Sequence, residues 1–202
     1  TRAEELAVLN ELTQKLSARL DTDQVLQEIY KGIARLIDAK NFYIGLYYPE
    51  KNEITFPLNV TESIIDRSIV TIRADQGLTG HLLRTRAPLF IQDNMAEVLT
   101  SLGIETVGEL AKSWLGVPLL LGDQVIGAMA VQSYTQARLY GEHERDLLIA
   151  FAGQAAISIQ NARLFSETER RSYEISTLAE IANEIAASHE LQPTLMRIAE
   201  HA

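Results

Sequence analysis

The sequence predicts an α+β fold, an antiparallel β-sheet with helices on one face and long helices extending from both ends. Three observations support this prediction. Residues 114–121 and 124–133 are two apolar, β-rich segments around Gly122 and Asp123, a dipeptide suited to a two-residue hairpin turn. Two amphipathic helical patterns precede any strand pattern. Residues 142–192 contain no proline and a single glycine, Gly153, as expected of one continuous helix of about 75 Å.

The first two elements are predicted to be helices. Apolar residues recur at spacings of three and four over residues 3–20, which favours an amphipathic helix with a narrow stripe. Asp21 or Thr22 suits the N-cap of a second helix, which has a wider apolar face and extends to Ile37. The narrow stripe of the first helix comprises Leu6, Leu9, Thr13, Leu16 and Leu20.

A first hairpin follows the two helices. Residues 41–48 and 52–60 are rich in aromatic and β-branched side chains, and the intervening residues 49–51 begin with a proline. In the later hairpin, the small residues Gly116 and Gly127 lie inside the strands. They indicate the close approach either of another backbone or of a bound molecule.

The region between the two hairpins is predicted from weaker signals. Residues 68–72 favour a short strand, and residues 78–85 favour a short helix after a turn. Residues 89–91 give another short strand. Residues 93–112 are predicted to be a loop with one or two helical turns, the least rigid part of the domain.

The last helical pattern is apolar at first and then loses its apolar face. Residues 166–172 contain no apolar residue, so we expect a solvated helical segment there. A shift of 169 residues, which places Leu9 on Leu178, aligns the apolar stripe beyond this segment with the first helix. This correspondence suggests a truncated second copy of the same domain. The predicted domains are an N-terminal dimerisation helix at 1–21, a globular domain at 22–165, and a linker helix with the start of the repeat at 166–202.

The composition excludes several classes of function. The chain of 202 residues carries a formal charge of -9, which disfavours binding to the phosphate backbone of nucleic acids. It contains no cysteine, which removes disulfides, thiolate nucleophiles and cysteine-type zinc sites. No apolar run approaches the roughly 18 residues that span a bilayer. We therefore expect no membrane partner and a cytoplasmic location, in a piece of a longer protein.

Three blocks of residues resemble one known family. They are residues 72–81 (IRADQGLTGH), residues 113–119 (SWLGVPL) and residues 140–148 (YGEHERDLL), the last running into QAA and NARL of the closing helix. Together they are similar to a GAF domain over about residues 22–165. The resemblance implies a pocket on the sheet face opposite the helices. It also implies a regulatory module of the kind found, often in tandem, ahead of histidine kinases, nucleotide cyclases and phosphodiesterases, many of which dimerise through flanking helices.

Departures from the family pattern narrow the choice of ligand. Members that bind bilins covalently, and the free methionine sulfoxide reductases, use a cysteine that this chain lacks. Haem-binding members need an axial histidine, and only His81 falls near the expected pocket. The Lys-to-Asp pair in the signature of cyclic-nucleotide-binding members is absent here. The positions that match that signature hold Ser133, Tyr134, Tyr140, Glu144 and Arg145.

Five residues are candidates for ligand binding. The backbone N–H groups of Leu78 and Thr79, at the start of a predicted helix, could receive an anion or a carbonyl. The resemblance places His81 over the pocket, with a surface or hydrogen-bonded histidine as the alternative reading. Trp114 is either a stacking surface for a ligand or a core residue. Tyr43, on the first strand, completes the set.

No catalytic residue, cofactor or metal site is predicted. The sequence has no glycine-flanked nucleophilic serine, no phosphate-binding loop with Gly-Lys-Ser/Thr and no His-Glu-x-x-His, and its four histidines are scattered. The acidic start of the last helix, at Glu142, is explained by the positive end of the helix dipole.

The narrow apolar stripes of the flanking helices predict a homodimer, with packing inside one subunit as the alternative. The predicted interface comprises Leu6, Leu9, Leu16, Leu20, Phe165, Ile175, Leu178, Ile181 and Ile185.

We therefore expect a non-enzymatic sensory and regulatory module. It would bind a small molecule or partner and pass the signal through dimeric helices to an effector in the same protein. The alternative is a structural spacer with the same fold, whose pocket would be filled by its own side chains, such as Phe42, Phe56, Phe90 or Trp114. The sequence does not specify the ligand, the effector or the sign of the regulation.

Overall fold

The computed structural model describes residues 2–17, 21–105 and 108–200, with side chains up to Asn183 except that of Ser17. The predicted α+β class is confirmed. The elements, in chain order, are α1 (Arg2–Ser17), α2 (Thr22–Ile33), β1 (Asn41–Tyr48), β2 (Glu53–Thr61), β3 (Ile64–Asp66), β4 (Val70–Arg73), α3 (Gly77–Thr85), β5 (Leu89–Ile91), α4 (Met95–Leu102), β6 (Ser113–Leu121), β7 (Gln124–Ser133) and α5 (Glu142–Glu200).

The strands form one antiparallel sheet in the order β3-β2-β1-β7-β6-β5. The strand β2 also pairs with β4 through residues 53–56, while residues 59–61 pair with β3. The predicted second hairpin is present, with Ser113 opposite Ser133 and Leu121 opposite Gln124. Its turn contains Gly122 at φ 57°, a backbone conformation that glycine adopts without strain.

The chain divides into two compact units, Thr1–Ala162 and Arg163–Ala202. In the first unit, α1, α2 and the first part of α5 pack on one face of the sheet. Alternation along the strands separates the two faces: Leu115 of β6 packs towards these helices, whereas Trp114 belongs to a second cluster with residues of α3 and α4.

Local capping explains where α2 begins. Asp21 has an extended backbone, and its Oδ1 accepts a hydrogen bond from the N–H of Gln24 at 2.9 Å. This is the N-cap that the sequence suggested. An ion pair joins α2 to α1, since Arg35, just beyond the end of α2, donates to Glu11 at 2.7 Å.

The structure departs from the sequence predictions at α2 and β3. The helix α2 ends at Ile33, and Ile37 is nevertheless buried in the helix-side core. The strand β3 was not predicted, because the turn before it holds Glu62 and Ser63 at positive φ without any glycine to signal it.

The region 93–112, predicted to be a loop with one or two helical turns, contains the eight-residue helix α4. This helix has about two turns and packs through Met95 and Leu99.

The predicted interface residues of α1 lie in different environments. Leu16 is buried in the core of its own unit, and Leu9 packs against the same core. For these two residues, the structure shows the alternative arrangement, packing inside one subunit. Leu6 is 62% exposed. Leu20 lies outside the described residues.

The second unit continues α5 from Arg163. Its polar stretch carries ion pairs at i,i+4 spacing, such as Arg171 to Glu167 at 2.6 Å. The predicted interface residues that the structure describes in this unit are all exposed: Phe165, Ile175, Leu178 and Ile181. The side chain of Ile185 is not among those described. None of the helices in the described ranges combines the length and apolarity needed to cross a bilayer.

Candidate functional site

A cavity of about 260 Å³ lies on the sheet face opposite α1, α2 and α5. The strands β1, β2, β4, β6 and β7 contribute to its walls, and so do α3, α4 and the segment 108–111. The lining includes apolar side chains, four aromatic rings and two carboxylates. It comprises Tyr43, Phe56, Asn59, Val70, Ile72, Gly77, Leu78, Thr79, Met95, Leu99, Glu105, Gly108, Glu109, Leu110, Ala111, Trp114, Gln132 and Tyr134.

Tyr43 and Thr79 tie the sheet to α3 at this cavity. Their hydroxyl oxygens are 3.1 Å apart and share one hydrogen bond. Burial raises the pKa of Tyr43 to about 12, against the opposing effect of hydrogen bonds with Thr79 and Trp114. The phenol therefore stays protonated across the physiological range. It offers a neutral polar group, not a charge, to a ligand.

Trp114 is 2% exposed and forms part of both the core and the cavity wall. Its indole lies against Gly116, so that a Cβ built at Gly116 would collide with the ring. At Gly127, an added Cβ would instead collide with the carbonyl oxygen of Gly45 on the neighbouring strand. The two small residues therefore accommodate the chain itself, an indole in one case and a backbone in the other.

Gln132 and Tyr134 form a second polar pair in the cavity lining. The side-chain amide of Gln132 donates to the hydroxyl of Tyr134 at 2.9 Å. Burial raises the pKa of Tyr134, and the nearby carboxylate of Glu109 raises it further. Gln132 and Glu109 were not predicted from the sequence as site residues. Strand alternation could have found Gln132, because it shares a face of β7 with Ala128 and Ala130.

The structure brings together four of the five predicted ligand-binding residues. Tyr43, Leu78, Thr79 and Trp114 all line the cavity. His81 is not among the lining residues; it lies two positions beyond Thr79, about 200° further around α3. Partial burial lowers the pKa of His81, and the neighbouring Arg84 lowers it further.

The start of α3 shows no side-chain cap. Gln76 occupies the N-cap position, and its side chain makes no capping hydrogen bond. Gly80 donates its N–H to the carbonyl of Gln76 at 3.1 Å, as the first helical bond requires. The N–H groups of Leu78 and Thr79 precede this bond, at the position where helix donors lack helical partners.

Several residues at the signature positions have structural roles. The hydroxyl of Tyr140 is buried and donates to the carbonyl of Asp38 at 3.0 Å. Glu144 accepts the N–H of Gly141 at 2.8 Å, which caps the start of α5. Ser133 accepts the N–H of Gln136 at 3.1 Å. In the described part of the chain, no group of three or more His, Cys, Asp or Glu side chains could hold a metal ion.

The four aromatic residues that a spacer would use do not fill the cavity. Phe42 and Phe90 pack on the helix side of the sheet. Phe56 and Trp114 line the cavity without closing it, and the rings of Tyr43 and Phe56 meet edge to face with centroids 5.4 Å apart. The free volume of about 260 Å³ lies slightly below the usual range for small-molecule pockets, so a ligand that fits it is small.

The chain is similar to known proteins in sequence. The family model described as "GAF domain" matches residues 19–160. The Nif-specific regulatory protein of Herbaspirillum seropedicae is 22% identical over 207 aligned positions, which cover 96% of this chain. The chain spans 38% of the length of that relative.

Solved structures share the fold. The GAF domain of an Acinetobacter phosphoenolpyruvate-protein phosphotransferase superposes with a TM-score of 0.67 and 18% identity, over 80% of this chain and 95% of that one. A methyl-accepting chemotaxis protein fragment, residues 122 to 287, gives a TM-score of 0.66 and 19% identity, over 76% and 97% of the two chains. At these identities, the likeness establishes the architecture alone.

Proposed function

We propose, from the premise that this chain belongs to the GAF domain family, that it is a non-enzymatic sensor which binds a small molecule and regulates an effector in the same protein. Domains of this family are regulatory and sensory modules of signalling proteins. The observation that carries the proposal is the cavity: it is lined by aromatic and hydrogen-bonding groups and is not filled by the side chains of the domain. Such a site is the default place for a small ligand.

The sheet offers a short route from the cavity to the helices of the first unit. Trp114 faces the cavity, and its neighbour Leu115 faces α2 and α5 on the other side of the same strand. Interiors packed this densely transmit displacement because they have few voids to absorb it. A ligand that changes the position of Trp114 would therefore also bias the packing of α5, through residues such as Phe151.

The size of the regulatory effect depends on how differently the ligand binds to two arrangements of the helices. A ligand that binds two helix arrangements equally shifts neither of them. A tenfold preference supplies about 1.4 kcal/mol, which is enough to retune an effector that lies near balance.

We propose that the output is a homodimer formed through the helix of the second unit. Ile175, Leu178 and Ile181 repeat at a spacing of three and are all exposed. A narrow apolar stripe of this kind is typical of a coiled-coil seam. The similarity to a regulatory protein that is longer than this chain supports an effector elsewhere in the same protein. The cytoplasmic location stays an expectation from the composition.

Native mass spectrometry of the protein purified from its own cells tests the sensor proposal directly. We expect a bound small molecule that survives purification of the wild type. The variant Ala111→Phe, which adds a ring at the cavity wall, should lose it, whereas Ala96→Phe, on the exposed side of α4, should retain it. Circular dichroism checks the control condition, that both variants are folded. A mass without adduct in the wild type and both variants would support the spacer function instead.

A further inference from the structure

The charge distribution around the cavity separates ligand classes. Glu105 and Glu109 are the charged side chains among the described residues of the lining, and no Lys, Arg or His lines it there. Glu105 also borders a neighbouring hollow lined by Arg73, Arg84 and Asp75, in which Arg73 is already paired with Asp75 at 2.8 Å. The two carboxylates together give the described lining a net negative charge.

Glu109 lines the cavity and is also exposed to solvent, and among the described residues it forms no ion pair. Burial raises the pKa of the Tyr134 phenol, and the negative charge of Glu109 raises it further, so this carboxylate acts on another residue of the lining. A second negative charge placed in this space would be repelled by Glu109 and would meet no basic side chain among the described lining residues.

Aromatic rings surround the rest of the site. Trp114, Tyr43, Phe56 and Tyr134 line it, and the Tyr43 and Phe56 rings stand nearly perpendicular at 76°. The faces of aromatic rings attract cations, with tryptophan the strongest of the three ring types. The formal charge of -9 on the whole chain also raises the local concentration of cations.

We infer that the cavity binds a small organic cation, whose apolar body packs against Trp114 and Phe56 and whose ammonium group faces Glu109. This inference rests on the proposed sensor function and names its ligand class. The cavity volume of about 260 Å³ limits the ligand to a small molecule. The Tyr43 hydroxyl and the side-chain amide oxygen of Gln132 are neutral. An ammonium or hydroxyl group of the ligand can hydrogen-bond to them without electrostatic repulsion.

Three probes of matched shape test the inference: phenylpropylamine, phenylpropanol and phenylpropionate. Trp114 is the only tryptophan of the chain and lines the cavity, so its fluorescence reports binding there. We expect the amine to bind about fivefold more tightly than the alcohol, and the carboxylate to bind more weakly than the alcohol. The preference for the amine should fall as salt rises, because part of the site is open to solvent.

The variant Glu109→Gln keeps the shape of the side chain and removes its charge. It should reduce the affinity for the amine about fivefold and leave that for the alcohol unchanged. Glu97→Gln, an exposed glutamate on α4 outside the lining, serves as the matched control and should change neither affinity.

The outcomes separate this inference from the sensor proposal. If phenylpropanol or phenylpropionate binds at least as tightly as the amine, the cation inference is overturned, while the cavity remains a binding site. Equal effects of Glu109→Gln and Glu97→Gln on the amine also overturn it. If none of the three probes changes the fluorescence of Trp114 at millimolar concentration, both the cation inference and the cavity as a ligand site fail.

Discussion

The hydroxyl of Tyr43 lies 3.1 Å from the hydroxyl of Thr79, and this hydrogen bond joins the first strand to the first turn of α3 beneath the cavity. Both residues line the candidate cavity. Residues that are distant in sequence are therefore coupled at the floor of the candidate site. A ligand can still meet either hydroxyl, because one hydrogen bond between them leaves further donor and acceptor positions free.

A double-mutant cycle measures the coupling. Tyr43→Phe, Thr79→Val and the double variant each remove the hydrogen bond while keeping the side-chain volume similar. Urea unfolding should give a coupling free energy of about 1 kcal/mol. Tyr47→Phe, on the same strand, is the control and should show no coupling with Thr79→Val. Additive effects of Tyr43→Phe and Thr79→Val would contradict the bond.

The raised pKa of Tyr43 predicts a loss of stability at alkaline pH. Its pKa is about 12 in the folded chain and 10 in the reference state, so the folded state holds the proton longer. The stabilisation is complete below pH 10 and is lost as the pH rises through 12. Tyr140, whose pKa is also raised by burial, acts in the same direction. Tyr43→Phe should therefore reduce, without abolishing, the fall in unfolding free energy between pH 10 and 12.

The fold could be predicted largely from the sequence because two patterns are strong. Residues 124–133 form a nearly continuous apolar segment, most of which is buried, and Gly122 with Asp123 fixes the hairpin turn. The strand β3 could not be predicted, since Glu62 and Ser63 adopt positive φ without glycine. That conformation is imposed by the tertiary structure, in which Asn41 accepts the N–H of Glu62 at 3.0 Å.

The candidate site was predicted only in part, for a similar reason. Tyr43, Thr79 and Trp114 could be placed because they lie in regular elements or in blocks that resemble the family. Glu109 lies in a segment without periodicity, so no pattern indicated that it borders the cavity. The placement of this carboxylate depends on how residues 108–111 close over the sheet.

Two glycines predict opposite effects of the same substitution. Gly127→Ala would drive a Cβ into the carbonyl of Gly45, and we expect a loss of about 3 kcal/mol in unfolding free energy. Gly153→Ala has no heavy atom within 4 Å of the new Cβ and lies within α5. It should raise stability by up to about 1 kcal/mol, because alanine is the better helix former. Thermal and urea unfolding measure the change in unfolding free energy for each variant. Changes of the same sign would contradict the packing around these two glycines.

The ion pair between Glu11 of α1 and Arg35, just beyond α2, predicts that the stability of the protein falls at acidic pH. The pKa of Glu11 is lowered from 4.5 to about 2, chiefly by a hydrogen bond from Lys15 and next by one from Arg35. Its contribution is therefore present above pH 4.5 and is lost as the pH falls through 2. The stabilities of the wild type and Glu11→Gln should differ at neutral pH and converge near pH 2. The difference should shrink in high salt because the groups are exposed, and Glu97→Gln should show neither trend.

The exposed stripe of the second unit gives the test of dimerisation. Leu178 is 66% exposed, so Leu178→Asp removes no buried contact of the described chain and should leave the first unit folded. A charge at the seam of a coiled coil is costly for association. We expect the molar mass from light scattering to fall from dimer to monomer for this variant.

The matched control is Ser176→Asp, which adds the same charge two residues away, about 200° around the helix. It should keep the dimer mass, because it lies off the stripe formed by Ile175, Leu178 and Ile181. If Leu178→Asp keeps the wild-type mass, the homodimer does not use this stripe. If both variants become monomeric, net charge and not the apolar stripe controls association. Only a loss confined to Leu178→Asp supports a seam that ligand binding could shift.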